Sequence, residues 1–313
     1  MIKRAATAIL VACALVVSLA GCADDESGPR ELVLGATDSP AMQVMVRVYA
    51  GALRHTGSQV SSEIRTADYR TLLDEMDTTS VDLFPAFSGR LLAQLAPQLA
   101  PATADDVFID LNRSLPQGVS VGDATMVTGT PRLFVASTVA DEGAVTDLSD
   151  CDRIAAGTPV VVVGAPDQGV IDAFASAGCR FGAVESVESV PVVVDRVAGG
   201  GAVGILTPLD VAGDDAEGAV GDIRALRADQ PEQPTATATT SASREVQVAA
   251  VGPRPEQLVP VYRSAAFTLD EVKTINTVAG EMTTADLATL ARRAVAGENP
   301  DDLANGWLAE HDL

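Results

Sequence analysis

The chain has 313 residues, of which 47% are apolar, 20% charged and only 4% aromatic. The apolar share excludes a largely disordered chain, and the length suits two domains of about 100–200 residues each. Asp and Glu number 43 against 21 Lys and Arg, for a net charge of −22 with no basic cluster, which excludes a surface built to neutralise nucleic-acid phosphates.

At the N-terminus, Lys3 and Arg4 precede an uncharged apolar run from Ala5 to Ala20. The run is short for a membrane span, which needs roughly 20 residues, and has the shape of a secretory leader. It ends in Leu19-Ala-Gly-Cys22, which resembles the lipobox of bacterial lipoproteins. That resemblance implies removal of residues 1–21 as a signal peptide and acylation of Cys22, anchoring the protein to the outer face of the cell membrane. An uncleaved anchor helix is the alternative. Residues 22–30, small and acidic, read as a tether. Cys13 leaves with the leader and Cys22 takes the lipid, so export favours a disulfide between Cys151 and Cys179. Closing that loop stabilises by roughly 3 kcal/mol on the chain-entropy model.

From residue 31 strand-like and helix-like segments alternate. Glu31–Ala36 is a short apolar run, and Ser39-Pro40 reads as a helix start for Met42, Met45, Val46, Tyr49 and Leu53 at helical spacing. Gln59–Ile64 predicts a strand, Tyr69–Met76 a helix and Val81–Phe84 a strand. Arg90–Leu99 and Asp105–Leu115 predict helices. A second unit begins near residue 130, with strands at Arg132–Ala136, Val160–Val163, Ala183–Val187, Ala202–Leu206 and Ile223–Leu226. Helices at Gln168–Ala177 and Val190–Ala198 separate them. Gln230–Ser243, dense in Pro, Thr, Ser and Ala, predicts a loop or flap. Val246–Val251 predicts a return strand, and the rest reads as helical, with a capping box at Thr268 and Glu271 and a helix start at Asn299-Pro300.

Gly199-Gly-Gly-Ala-Val-Gly204 spells a dinucleotide fingerprint, but it follows a helix and precedes a strand, the reverse of what pyrophosphate binding needs. It reads as a tight turn. Gly164-Ala-Pro-Asp-Gln-Gly169 follows a strand and opens a helix without completing a phosphate loop, leaving a plain turn or a ligand-facing loop. Thr37-Asp-Ser-Pro40 sits where free helix amides favour anionic groups, so Asp38 and Ser39 either cap the helix or also touch a ligand.

The stretch Thr79-Ser-Val-Asp-Leu-Phe-Pro-Ala-Phe-Ser-Gly-Arg-Leu-Leu92 resembles the signature of the osmoprotectant-binding proteins of ABC importers, the glycine betaine/choline/carnitine class. Leu34–Gln43, Asp147–Asp150 and the run from Phe267 through Met282–Leu287 to Glu310 extend the resemblance over nearly the whole mature chain. It implies an α/β, type II periplasmic-binding-protein fold: two lobes with mainly parallel sheets, joined by a two-crossing hinge. Lobe one would span 31–128 and 250–313. Lobe two would span 129–249, with a flexible segment at 229–244. Such a protein captures a small solute by lobe closure and hands it to an ABC permease in the membrane.

In that family aromatic rings box a quaternary ammonium. Phe87 and Phe84 fall on the signature's aromatic positions and Ser88 on its Thr. The tyrosines expected from the second lobe and before the return strand are missing, since Gly129–Leu133, Leu206–Asp210 and Gln230–Ser243 hold no aromatics. The expected site therefore sets Phe84, Phe87 and Ser88 against Arg132 and Thr207, with Thr37 and Asp38 at the cleft floor. The solute is a quaternary amine or another small polar or zwitterionic compound, one with a carboxylate if Arg132 faces the cleft. The alternative is a ligand-sensing or envelope-docking lipoprotein of the same fold that no longer serves transport. An enzyme is not expected, and neither is a cofactor or metal. His55 and His311 are the only histidines, and no nucleophile–base pair or metal-ligand cluster is visible.

Overall fold

A computed structural model describes residues 30–101, 103–213, 221–228 and 252–313. Cys22, the leader, the segment 229–244 and the strand expected at Val246–Val251 lie outside the described residues. Leu32–Leu313 forms one compact unit.

Its first part begins with an isolated bridge between Leu32 and Val60, after which β1 (Gly35–Ala36) runs parallel to β2 (Arg65–Thr66). The strand expected over Gln59–Ile64 thus shrinks to that bridge plus β2. The backbone bonds decide this, because the Arg65 and Ala67 amides are the ones that reach the Leu34 and Ala36 carbonyls. Helix α1 (Pro40–His55) starts at the expected proline and buries Met42, Met45, Val46, Tyr49 and Leu53. Then follow α2 (Tyr69–Asp77), capped by Asp68, β3 (Leu83–Phe87), α3 (Ser88–Leu95), α4 (Ala104–Ser114) and β4 (Val119–Val121).

The second part holds β5 (Arg132–Ala136), α5 (Ser137–Gly143), β6 (Thr158–Val163), α6 (Gln168–Ser176) and β7 (Phe181–Val187). It continues through α7 (Val190–Ala198), β8 (Val203–Leu206), α8 (Pro208–Val211) and β9 (Ile223–Ala225). These strands form one sheet in the order β7-β6-β8-β5-β9. Strand β6 is parallel to β7 and β8, whereas β5 is antiparallel to β8 and β9. The expectation of mainly parallel sheets is therefore corrected to mixed ones. Parallel neighbours need a helix-length crossover, which α6 and α7 supply for β6, β7 and β8. Strand β5 enters instead along an extended crossing and runs against its neighbours.

Cores cover both faces of this sheet, one under α6 and one under α7. Cys151 and Cys179 are bonded, as expected, joining the turn Leu148–Arg153 to the end of α6 across 28 residues of chain. The Gly199–Gly204 run is the expected turn. Gly200 there takes a positive φ of 75°. A Cβ on Gly204 would lie 2.8 Å from Val193 of α7, so the glycine lets helix and strand approach.

After residue 251 the expected helical run is overturned by β10 (Leu258–Arg263), which lies between β3 and β4, antiparallel to both. Two prolines disguise it. Pro260 faces Pro85 in register. Ser88 N donates to Gln257 O and Arg263 N to Asp82 O, so bonded pairs fall on alternate positions and the proline pair sits between them, where neither nitrogen is needed by the other strand. Helices α9 (Leu269–Glu281), α10 (Thr284–Val295) and α11 (Pro300–Glu310) close the chain against α1. Thr268 with Glu271, and Asn299, cap α9 and α11 as expected.

The first crossing, just before β5, is paired with the approach to β10. Thr128 and Gln257 form an antiparallel bridge, Gly129 N donates to Glu256 O at 3.0 Å, and Glu256 N donates to Thr130 Oγ1 at 2.8 Å.

Candidate functional site

A cavity of about 850 Å³ opens where these elements converge. The carboxyl ends of β6 and β8, where loops of α/β sheets gather ligands, meet the start of α1, the β3–α3 junction and one face of α10. Each wall has a local cause. Ser39 occupies the N-cap position of α1 but makes no side-chain cap bond, and with Pro40 it faces the cavity. The loop after β6 is more than a plain turn: Ala165 and Asp167 line the cavity, while the Asp167 carboxylate accepts from Gly169 N at 2.9 Å and Val170 N at 3.3 Å to start α6. At the end of β8, Thr207 and Asp210 make a capping box, with Thr207 N and Oγ1 donating to Asp210 Oδ2 at 2.7 and 2.8 Å. Both carboxylates on the lining are thus engaged by neighbouring donors.

Phe87 lies on the floor. Its amide donates to the Tyr69 hydroxyl at 3.0 Å, and burial pushes that phenol up to about 12, so it stays neutral as a positioning group. The Arg90 guanidinium stands 5.4 Å over the Phe87 ring, within cation–π range. Arg90 Nε also lies 3.1 and 3.3 Å from the two carboxylate oxygens of Glu256. Glu256 is buried, and that burial pushes its carboxyl up to about 7, against the opposing pull of Arg90. Arg292 of α10 donates to the Ala212 carbonyl and to Thr289 Oγ1, tying α10 to the end of α8.

Of the residues expected to bind, Phe87 and Thr207 meet on this lining. Phe84 does not: it is fully buried, stacked on Tyr69 with ring centroids 6.0 Å apart. Three residues apart on a strand, Phe84 and Phe87 must face opposite sides, a signal the sequence already carried. Ser88 is buried, and its Oγ accepts from Gln257 N at 3.1 Å, so it latches β10 to α3. Arg132 is exposed at the edge of β5, opposite Leu206 and outside the lining. Thr37 gives its carbonyl to Gln43 Nε2, and Asp38 is exposed; their neighbours Ser39 and Pro40 line the cavity instead. Sequence reasoning missed Arg90, one turn into the helix after Phe87, and Arg292, which no local motif announces.

No family model matches the chain, and no curated protein matches it. Solved structures do. A glycine betaine/carnitine/choline ABC transporter structure is similar at TM-score 0.65 and 14% identity, over 89% of this chain and 98% of its own. Apo YehZ from Escherichia coli is similar at TM-score 0.60 and 15% identity, over 90% of this chain and 98% of its own. Lactococcal OpuAC, closed around glycine betaine, is similar at 0.53 and 13% identity, over 90% of this chain and 97% of its own. The chain has a periplasmic-binding-protein-like fold.

In the terms of that fold, the chain is an α/β protein resembling the type II class with mixed sheets, and at these identities the likeness is one of fold. Among the described residues no group of three or more His, Cys, Asp or Glu side chains is placed to hold a metal. No described helix is long and apolar enough to cross a membrane.

Proposed function

We propose that the protein is an extracytoplasmic solute-binding lipoprotein of an ABC importer. The observation that carries this reading is a cavity of about 850 Å³ walled by the ends of strands from the three-stranded and the five-stranded sheets, in a chain that shares its fold with solute-binding proteins along nearly their whole length. Residues 31–128 and 250–313 form the first lobe and 129–249 the second. The two crossings between the lobes are the hinge, and the first is paired at Thr128 with Gln257 on the approach to β10. Closure around the solute shields Val163 and Val295, which line the cavity yet stand 39% and 71% exposed, and ligand shifts the population toward the closed state. Lipid on Cys22 holds the protein at the outer face of the membrane beside its permease, and the Cys151–Cys179 bond suits an oxidising compartment.

A glycine betaine- or choline-like solute, expected from the sequence, would need ring faces beyond Phe87, which with Thr207 is the part of the expected site on the lining. The test is calorimetry and thermal shift on the full chain in lipid nanodiscs, against betaine, choline, carnitine and small acids. A specific solute raises the midpoint by mass action. If no small solute binds, the sensing or envelope-docking lipoprotein takes its place, a reading favoured by the single aromatic ring on the lining among the described residues.

A further inference from the structure

Resting on the solute-binding reading, we propose that the solute is an amphipathic monoanion, with an aliphatic body and one carboxylate-type head, and that Arg292 holds the head. The walls are branched and aliphatic. Val162, Ile171, Val194 and Leu206 form nearly buried floor, and Val163 and Val295 continue it to the mouth. Such surface rewards contact with hydrocarbon and offers little to a compact, strongly hydrated solute. An aromatic box for a quaternary ammonium needs several ring faces. Among the described residues the lining has Phe87 alone, and the Arg90 guanidinium already stands over that ring.

Charge sets the head group. Among the described residues two cations line the cavity, and Arg90 is already engaged, its Nε on both Glu256 oxygens and its guanidinium over Phe87. Arg292 bonds only neutral acceptors, the Ala212 carbonyl and the Thr289 hydroxyl, and has no ion-pair partner among the described residues. A guanidinium with no carboxylate partner among the described residues suits a head with one negative charge. Asp167 and Asp210 on the same lining weigh against a doubly charged head.

The test measures binding of hexanoate, octanoate, decanoate, octanol, octyl phosphate, glycine betaine and choline to the full chain in lipid nanodiscs, with empty nanodiscs as the blank. Affinity for the carboxylates is expected to rise about fourfold per methylene, and decanoate to bind at least a hundredfold tighter than betaine or choline. Arg292→Gln loses at least tenfold for octanoate while octanol binding is unchanged, which a merely structural role would not produce. Val295→Asp, at an exposed position one turn from Arg292, loses at least tenfold for octanoate with an unaltered unliganded melting midpoint. Betaine or choline binding tighter than every carboxylate, octyl phosphate binding tighter than octanoate, or equal losses of octanoate and octanol in Arg292→Gln would overturn this inference and leave solute binding intact. Failure of every small solute to bind would overturn both.

Discussion

The Arg263 guanidinium grips the Asp82 carboxylate, with Nε 3.0 Å from Oδ1, and the Asp82 side chain is fully buried. Its second oxygen accepts from Val33 N at 2.9 Å, and the Arg263 amide donates to the Asp82 carbonyl at 2.9 Å. One carboxylate therefore joins the first strand segment, the entry to β3 and the end of β10, three pieces of chain far apart in sequence. This junction anchors the sheet that presents Phe87 to the cavity.

Removing either partner takes the charge-assisted bonds out of a buried junction. Asp82→Ala and Arg263→Ala are each expected to cost about 3–5 kcal/mol, with the double variant costing clearly less than the sum. Urea unfolding measures this. Additive losses would mean the pair is not a unit.

Glu256 predicts a pH signature. Burial raises its carboxyl to about 7 from an ordinary 4.5; Arg90 and Arg254 lower it, and Asp167 raises it. The folded state thus holds the proton where the unfolded chain has released it. The contribution of Glu256 to stability is full below about 4.5 and is lost as pH rises through about 7. In Glu256→Gln the neutral side chain is permanent, so the variant gains on the wild type by a few kcal/mol between those limits. Denaturant melts across that range read the gap, and a gap independent of pH would contradict the assignment.

Gly129 predicts a link between the crossing and the cavity. A Cβ there would lie 2.6, 2.7 and 2.9 Å from three atoms of the Phe87 ring. Gly129→Val must displace that ring from the floor, at about 1–3 kcal/mol for overpacking. Solute affinity is expected to fall at least tenfold in a protein that still unfolds cooperatively. Unchanged affinity would show that Phe87 has no part in binding.

Much of this molecule was legible because its causes are local. Ser39-Pro40, Thr268 with Glu271 and Asn299-Pro300 each mark a helix start within a few residues of chain, and α7 and β5 begin and end where the pattern of apolar residues says they should. Cys151 and Cys179 were the pair left once the leader was set aside, and they are joined. Phe84 and Phe87 lay between the two cases: strand periodicity sends them to opposite faces, but only the packing tells which face holds the cavity and which is core. Strand β10 could not be read from its own residues, since Pro260 is tolerated only because the register with β3 puts it between hydrogen-bonded pairs. Arg132 and Arg292 make the same point at the site. The first opens the interior strand β5 yet is exposed outside the lining, and the second comes from a C-terminal helix brought across to the end of α8. Caps and periodicities are settled by neighbours in the chain, whereas a cavity is settled by which surfaces the completed cores leave facing one another, and that only the tertiary structure decides.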